Sequence, residues 1–245
     1  MLPSNQQVAQ AMIGSLEEIR RESLPKGSRI LDFGCGSGDL VQELNRCGFD
    51  SRGVDIKPFW ADDDLQGRLQ VVEQPYRIPH ADLTFDAVLS TSVFEHVLDY
   101  RRAFLEIHRV LKPGGASLHL FPGPWALPVE PHMFVPLASV IQTRWWLGLW
   151  ARLGVRNGFQ KGLGWREVTE RNFEYCKTGV NYLPRRKVKQ LVTDIFGNFY
   201  YAKKEYINNF HGGAARLARR TKLPFTGEMI FAWREQLIYS VKQSS

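Results

Sequence analysis

The chain has 245 residues, of which 44% are hydrophobic and 23% charged, and this is the composition of an ordinary globular protein. No stretch of 18 or more uncharged apolar residues exists, and the N-terminus lacks the basic start and apolar core of a secretory signal, so we expect neither a membrane-spanning helix nor a cleaved leader. The three cysteines form no CxxC pair. We therefore expect no disulfide framework and no cysteine-type zinc site, and we predict a cytoplasmic protein.

The net charge of +7 is unevenly distributed along the chain. Residues 141–245 contain 19 Lys and Arg against 7 Asp and Glu, a net charge of +12, whereas residues 1–140 carry −5. A basic C-terminal half suits an anionic partner such as a phosphate-bearing substrate, a nucleic acid or a membrane surface. A basic surface without a dedicated partner has the same composition, so charge alone does not identify the partner.

The first half of the chain alternates short apolar runs with amphipathic segments. Helices are predicted near the N-terminus and over residues 39–46 and 100–111. Strands are predicted over residues 29–33, 52–55, 69–72, 85–90 and 116–121. Strands that alternate with helices in this way indicate right-handed crossovers and a parallel sheet that is covered by helices on both faces.

The alternation stops after residue 122. Residues 122–190 are richer in Pro, Trp and Arg, and two β-rich stretches follow at 198–207 and 228–241. We therefore predict one sheet-based domain from residues 1–121 and about 190–245. We predict that the segment of about residues 122–190 is an insertion or lid over the C-terminal ends of the strands, where folds of this kind bind ligands.

The first predicted strand runs into the glycine-rich segment at residues 34–38, GCGSG, and then into a helix. Glycines allow positive φ and a close approach of a ligand, and the helix N-terminus offers unpaired N–H groups. A dinucleotide fingerprint, GxGxxG, would need glycine where Asp39 stands, and an acid there would repel a pyrophosphate. The loop therefore favours S-adenosylmethionine over NAD.

An acid at the end of the second predicted strand, Asp55, lies 17 residues after Gly38. A carboxylate at this place can accept hydrogen bonds from both hydroxyls of a ribose. A glycine loop alone can be only a tight turn. The ordered series of strand, loop, helix, strand and acid is more specific, and it predicts a site for an adenosyl ligand.

Three segments resemble motifs of class I S-adenosylmethionine-dependent methyltransferases, in particular the ubiquinone-biosynthesis type of small-molecule methyltransferase. They are ILDFGCGSG (residues 30–38), FDAVLS (85–90) and RVLKPGG (109–115), and together they cover about residues 28–121. The resemblance implies a doubly wound, Rossmann-like α/β fold. Its seven-stranded sheet would be mostly parallel, with an antiparallel last strand and a helical insertion after strand five. It also implies an enzyme.

The resemblance further implies how S-adenosylmethionine is held. The glycine loop would line the methionine end through Asp32, Gly34, Cys35 and Gly36, and we expect the Cys35 side chain to pack behind the loop. The sulfonium region would face the backbone of Ser90 and the side chain of Thr91 or Ser92.

The adenosine end is implied at three further positions. Asp55 would hold the ribose, Ile56 would stack on adenine, and Gln74 would bind the exocyclic amine. The next residue in the family pattern usually offers a backbone N–H, but here it is Pro75, which has none. The second hydrogen bond to adenine must therefore come from elsewhere.

Two acid–imidazole pairs follow the fourth and fifth predicted strands, namely Glu95 with His96 and Glu130 with His132. Methylation of a hydroxyl needs a base or a metal ion to remove the proton. We therefore predict His132 or His96 as a general base, oriented by Glu130 or Glu95. The alternative is that Glu95 and His96 begin the next helix and only pack there.

The segment at residues 92–96 is similar to the ExxEH pattern of ubiquinone-biosynthesis O-methyltransferases and of small-RNA 2′-hydroxyl methyltransferases. In those families carboxylates and histidine can hold a divalent cation. Here Ser92 replaces the first carboxylate and removes a hard anionic ligand. We therefore predict no metal.

The acceptor is less well defined by the sequence. Trp and Arg within residues 136–153 suit an apolar acceptor wall or a peripheral membrane contact, and also an ordinary lid helix. Basic clusters at residues 185–189 and 216–222 could hold a phosphate or lie on solvated helix faces, and no RNA-binding module accompanies them.

We predict O-methylation of a small-molecule, saccharide or lipid-linked acceptor. Nucleic acid is not the favoured partner, and membrane association of a cytoplasmic protein is an added expectation. An RNA or amine N-methyltransferase is the enzymatic alternative. A non-catalytic cofactor-binding scaffold is the alternative of another class, and it would have no need of Asp32, Gly34, Gly36 and Asp55 together.

Overall fold

A computed structural model describes residues 4–60, 64–72, 76–124, 129–210 and 235–243. Within them, seven strands form one sheet: β1 (Arg29–Phe33), β2 (Asp50–Asp55), β3 (Leu69–Val71), β4 (Phe85–Thr91), β5 (Leu111–Pro122), β6 (Tyr200–Tyr201) and β7 (Glu235–Val241). Their order is β3-β2-β1-β4-β5-β7-β6. Strands β1 to β5 are parallel, and β7 is antiparallel to both β5 and β6. The predicted fold class is confirmed.

Helices cover both faces of this sheet. The helices that do so are α1 (Asn5–Arg20), α2 (Asp39–Arg46), α3 (Tyr100–Val110), α6 (Arg185–Phe196) and α7 (Lys203–Asn209). Helices α4 (Arg144–Arg152) and α5 (Trp165–Thr178) belong to a separate cluster. Successive strand residues point to opposite faces, so Leu31 and Val88 pack with α3 and α6, whereas Ile30 and Leu89 pack with α1, α2 and α7. These two hydrophobic clusters make the sheet doubly wound.

The predicted β-rich stretch at residues 198–207 is wrong over most of its length. Only Tyr200–Tyr201 is strand, and helix α7 begins at Lys203. Ala202 and Tyr206 are spaced by one helical turn and both pack in the cluster with α1. A short apolar run cannot be assigned to helix or strand by periodicity alone, which is the physical reason for the error. Of the second predicted stretch, residues 228–234 lie outside the described residues, and 235–241 form β7.

Residues after β5 build a hydrophobic cluster of their own. Met133, Val135 and Leu147 pack there with Cys176 of α5. Helix α6, by contrast, buries its apolar face in the cluster that contains α3, although it spans the predicted boundary near residue 190. The division of the chain into a sheet domain and an insertion stays a prediction.

Across the described ranges, no helix combines the length and the apolar character that crossing a membrane requires.

Candidate active site

The loop after β1 has the conformation that its glycines allow. Gly34, Gly36 and Gly38 have φ of 83°, 52° and 85°, in the left-handed region that other residues rarely adopt. A Cβ on Gly34 would collide with the Val93 side chain, whereas nothing lies within 4 Å of the Cβ position of Gly36. One side of the loop is therefore packed against the protein, and the other leaves its backbone open to a ligand.

The acid at the end of β2 lies directly against this loop. Oδ2 of Asp55 accepts a hydrogen bond from the Gly36 N–H over 2.8 Å, and Oδ1 accepts one from the Ile56 N–H over 2.7 Å. The next side chain, Ile56, is 64% exposed. A carboxylate beside an open loop, followed by an exposed apolar side chain, suits a ribose and a flat base.

A second carboxyl group lies beneath the loop. Asp32 is buried, and its Oδ1 has no hydrogen-bond partner among the residues that the structure describes. Burial and the nearby charge of Asp55 raise the pKa of Asp32 to about 7. An unpaired buried oxygen is costly, and a polar ligand group or a water molecule would satisfy it. The residues of the loop therefore fit S-adenosylmethionine.

The side chain of Ser90 is engaged within the sheet. Its Oγ is 2.8 Å from Nδ1 of His119, which faces it across the β4–β5 pair. Burial lowers the pKa of His119 to about 3, so this ring is neutral. The Ser90 side chain is thus engaged, and the contact of its backbone with the sulfonium region stays a prediction. Thr91, the last residue of β4, is half-buried.

Of the remaining positions predicted to contact the cofactor, the structure describes Cys35 but not Gln74. Cys35 is buried with Val41 and Leu69, behind the loop, and burial raises the pKa of its thiol. Its side chain therefore packs as expected and is not a reactive nucleophile. Gln74 and Pro75 lie outside the described residues, and the adenine contact there stays a prediction.

The two acid–imidazole pairs come together at the same edge of the sheet. The ring centroids of His96 and His132 are 4.8 Å apart, with the rings nearly perpendicular. His96 belongs to a short 3-10 helix (Phe94–His96) after β4, separate from α3. His132 follows β5, and parallel neighbouring strands end at a common edge. The positions of the two pairs after neighbouring strands suggested a common cleft, and the direct contact of the two rings is a tertiary feature.

Glu130 is fully buried and holds His132 in one orientation. Its carboxylate accepts hydrogen bonds from Nδ1 of His132 (2.7 Å), from the Tyr182 hydroxyl (2.6 Å) and from the N–H groups of His132 (2.8 Å) and Met133 (2.6 Å). Burial acts to raise the pKa of Glu130, but these hydrogen bonds hold it below its ordinary value. Because the ionised carboxylate accepts a hydrogen bond from Nδ1, the neutral tautomer of His132 that it favours has its lone pair on Nε2.

The other pair has a different electrostatic environment. Nδ1 of His96 donates to the Gly179 carbonyl over 2.6 Å, and burial lowers the pKa of His96. Neither carboxyl oxygen of Glu95 has a hydrogen-bond partner within the described ranges. Burial raises the pKa of Glu95 to about 8. Near pH 7, therefore, His96 is neutral and Glu95 is mostly protonated.

One cluster in the described part of the chain has the composition of a metal site. Glu95, His96 and His132 each offer one ligand atom, and these atoms lie within 4.8 Å of one another. One carboxylate oxygen and two imidazole nitrogens could ligate a divalent cation. The prediction that no metal binds stays a prediction.

Two tyrosines of the site were missed by the sequence analysis. Tyr182 donates to Glu130, and the Tyr175 ring is 5.8 Å from that of His132. Burial raises the pKa of Tyr175 to about 12, so its hydroxyl stays protonated. No motif accompanies either residue, and only the packing of α5 and of the segment before α6 brings them here.

The strand order, the glycine loop and the acid after β2 define the class I S-adenosylmethionine-dependent methyltransferase fold. Residues 5–194 match the family model described as a methyltransferase domain. This is more than half of the chain, and the protein belongs to that family, which confirms the family prediction.

Curated relatives match over a shorter region. A ubiquinone biosynthesis O-methyltransferase of Maricaulis maris is 37% identical over 103 residues, which are 38% of this chain and 40% of the relative. An uncharacterized methyltransferase of Mycobacterium sp. (strain KMS) is 34% identical over 111 residues, 44% of each chain. The matched region thus spans less than half the length of these relatives.

Solved structures share the fold over nearly the whole chain. Phosphoethanolamine N-methyltransferase 2 of Haemonchus contortus, in complex with S-adenosyl-L-methionine, has a TM-score of 0.53 and 15% identity over 98% of this chain and 53% of that one. Geranyl diphosphate C-methyltransferase of Streptomyces coelicolor has a TM-score of 0.51 and 14% identity over 97% and 74%. At such identities the likeness concerns the fold alone.

Proposed function

We propose that this protein transfers a methyl group from S-adenosylmethionine to a hydroxyl oxygen of a small-molecule, saccharide or lipid-linked acceptor. The observation that carries the proposal is the Glu130–His132 pair, in which the buried, ionised carboxylate of Glu130 accepts a hydrogen bond from Nδ1 of His132. It lies beside His96 at the edge of the sheet where β4 and β5 end. An oriented imidazole at this edge is suited to take a proton from a hydroxyl.

The cofactor would be held by the residues of the β1 loop and the end of β2. Asp32, Gly34 and Gly36 would line its methionine end, and Asp55 and Ile56 would contact its adenosine end. When bound, S-adenosylmethionine supplies a methyl carbon that is activated by an adjacent sulfonium. The cofactor provides the electrophile, so the protein has to align the acceptor and accept its proton.

In the proposed reaction, S-adenosylmethionine would supply its methyl group to the acceptor oxygen and would leave as the neutral thioether S-adenosylhomocysteine. The hydroxyl proton moves to Nε2 of His132, and the charge of Glu130 stabilises the imidazolium that results. His132 then releases the proton to solvent, to which its side chain is 29% exposed. Tyr182, whose pKa is raised by burial and by Glu130, stays protonated and keeps donating to that carboxylate.

A second candidate is O-methylation assisted by a divalent cation. The observation that favours it is the proximity of Glu95, His96 and His132. A cation there would bind the acceptor oxygen directly and lower the pKa of its hydroxyl. Full activity in a chelator excludes this version and leaves the general base.

Peripheral membrane contact is supported by one face of α4. Trp145 is 72% exposed, and Leu153 lies two helical turns further along and is also exposed. Arg144 and Arg152 flank them and are exposed as well. Aromatic and cationic side chains together suit an anionic lipid surface. Co-sedimentation with phosphatidylglycerol vesicles, but not with phosphatidylcholine vesicles, tests this contact, and Trp145→Ala should weaken it.

The experiment for the main proposal has two parts. Calorimetric titration should show binding of S-adenosylmethionine and of S-adenosylhomocysteine. A tritiated methyl donor should then label members of an acceptor panel that contains phenols, hydroxylated isoprenoids, sugars, amines and RNA. Absence of cofactor binding would overturn the proposal that the protein transfers methyl groups, and it would favour neither acceptor class. Labelling of only amines or RNA would instead support the alternative of an N- or RNA-methyltransferase.

A further inference from the structure

A cavity of about 470 Å³ lies beside His132. It is bounded by the segment that carries His132, by the short 3-10 helix Gly158–Gln160 and by α5. This volume is within the range of small-molecule binding sites, roughly 300–1,000 Å³. Its position next to the proposed base raises the question of which acceptor chemistry it fits.

The walls of this cavity are mainly apolar and aromatic. Phe134, Phe159 and Tyr175 all line it. Phe159 is 93% exposed, yet it belongs to a 3-10 helix that Asn157 caps. Asn157 also donates through Nδ2 to the His132 carbonyl over 3.1 Å. The short helix that carries the exposed Phe159 side chain is thus hydrogen-bonded, through Asn157, to the backbone of His132.

One polar group on the wall has an unused donor. Asn172 of α5 is 1% exposed, and its Oδ1 accepts a hydrogen bond from Nε2 of Gln160. Its Nδ2 has no partner among the residues that the structure describes. A buried donor without a partner destabilises the fold, because it has lost its hydrogen bond to water and gained none in the protein. An oxygen atom of a molecule in the cavity would remove that cost.

Charge on the wall is sparse. Besides His132, the lining residue that carries a charge is Arg171, and it pairs with Glu167 over 2.8 Å, whereas the Tyr175 hydroxyl stays protonated. The lining residues therefore offer a ligand mainly apolar contact and, at Nδ2 of Asn172, a buried donor without a partner among the described residues. A saccharide or a phosphate group would need several hydrogen bonds or a free cation instead.

We propose that this cavity binds the acceptor, and that the acceptor is an uncharged, largely apolar molecule with an oxygen atom that accepts a hydrogen bond from Nδ2 of Asn172. An aromatic or alicyclic ring lies between Phe134, Phe159 and Tyr175, and the hydroxyl to be methylated faces His132. This inference rests on the proposed function and narrows its acceptor class.

The first test compares two probes that differ in one atom. 4-Ethylanisole has an ether oxygen where 1,4-diethylbenzene has a methylene group. Titrated by calorimetry into the full chain saturated with S-adenosylhomocysteine, 4-ethylanisole should bind about tenfold more tightly, since one hydrogen bond is worth about 1.4 kcal/mol. Asn172→Leu should abolish that difference. Equal affinities of the wild type for the two probes overturn the role of Asn172.

The second test blocks the cavity with a matched pair of substitutions. Gly158 lines the cavity and Gly164 does not. Nothing lies within 4 Å of the Cβ position of either glycine, and neither has positive φ, so leucine fits at both. Gly158→Leu should weaken both probes at least tenfold, and Gly164→Leu should leave them unchanged. Equal affinities of the two variants overturn the cavity as the binding site.

Titration of S-adenosylhomocysteine into the same samples separates this inference from the proposed function. If the cofactor product binds and the probes do not distinguish the variants, only the acceptor cavity is wrong. If the cofactor product does not bind, the proposed methyl transfer itself is overturned.

Discussion

Nδ1 of His132 donates a hydrogen bond over 2.7 Å to Oε1 of Glu130, whose side chain is fully buried. The same carboxylate is fixed by the Tyr182 hydroxyl and by two backbone N–H groups. Three of its four hydrogen bonds come from its own segment, residues 130–133. This segment is therefore a rigid carrier for the imidazole, and its geometry underlies the first prediction.

His132→Ala should lower kcat by about 10²- to 10⁴-fold for the acceptor that the labelling screen identifies, which is the usual contribution of a general base. The affinity for S-adenosylhomocysteine should be unchanged, because the residue is not part of the β1 loop. His96→Ala serves as the comparison and should have the smaller effect. A larger loss in His96→Ala than in His132→Ala would transfer the base role to His96.

Asp55→Ala should weaken S-adenosylhomocysteine binding by about 1–3 kcal/mol, because hydrogen bonds to a charged group are lost. The substitution also frees the Gly36 N–H that Asp55 binds, and this adds to the loss. Calorimetric titration measures the effect. Asp194→Ala, an exposed acid on α6, is the matched control and should bind as the wild type does. Unchanged affinity in Asp55→Ala would contradict the assignment of this acid.

Glu95 should make the stability of the protein depend on pH. Burial raises its folded-state pKa to about 8, whereas an unfolded chain has about 4.3. Between these two pKa values the unfolded chain releases the Glu95 proton, whereas the folded chain keeps it. The contribution of Glu95 to the free energy of unfolding is therefore complete below about pH 4 and is lost as the pH rises through about 8. Glu95→Gln keeps the uncharged form at every pH.

The wild type should therefore lose on the order of 1–3 kcal/mol more unfolding free energy than Glu95→Gln between pH 5 and 8.5, as measured by urea unfolding. The raised pKa of Asp32 acts in the same direction but is common to both proteins. Glu174→Gln, at an exposed position on α5, should follow the wild type. If Glu95→Gln has the same pH profile as the wild type, Glu95 is ionised in the folded state.

Gly34→Ala should destabilise the fold more than Gly27→Ala. Both glycines have positive φ, 83° and 79°, so both substitutions cost about 1–2 kcal/mol of backbone strain. Only at Gly34 does the added Cβ also collide with Val93, which adds about 1–3 kcal/mol. The double variant Gly34→Ala with Val93→Ala should recover part of the difference in urea unfolding. Equal costs at the two glycines would mean that the loop is not packed against Val93.

Dialysis against a chelator should leave turnover undiminished, as the prediction of no metal requires. The measurement is the rate of methyl transfer before and after dialysis, with metal content determined by elemental analysis. Loss of activity that Mg²⁺ or Zn²⁺ restores would instead support the cation-assisted reaction. In that case His132→Ala and Glu95→Gln should also lose the bound ion.

Local sequence patterns predicted the half of the fold that contains the glycine loop. The glycine segment, the strands on either side of it and Asp55 are close in sequence, and each has a short-range physical signature. The predicted helix at residues 39–46 agrees with α2, and the first five strands lie where they are expected. The stretch at residues 198–207 was wrong because a few apolar residues without clear periodicity suit either a strand or a helix.

The sequence by itself determined the glycine loop and the fold class, because both follow from residues that are neighbours along the chain. Only the tertiary structure brought His96 and His132 together. It also assembled the cavity beside His132, in which Asn172 and Gln160 come from separate elements. These contacts join residues far apart in sequence, and no local pattern encodes their distance. The glycine loop is thus predictable from the sequence, whereas the cavity beside His132 depends on how α5, the 3-10 helix Gly158–Gln160 and the segment after β5 pack.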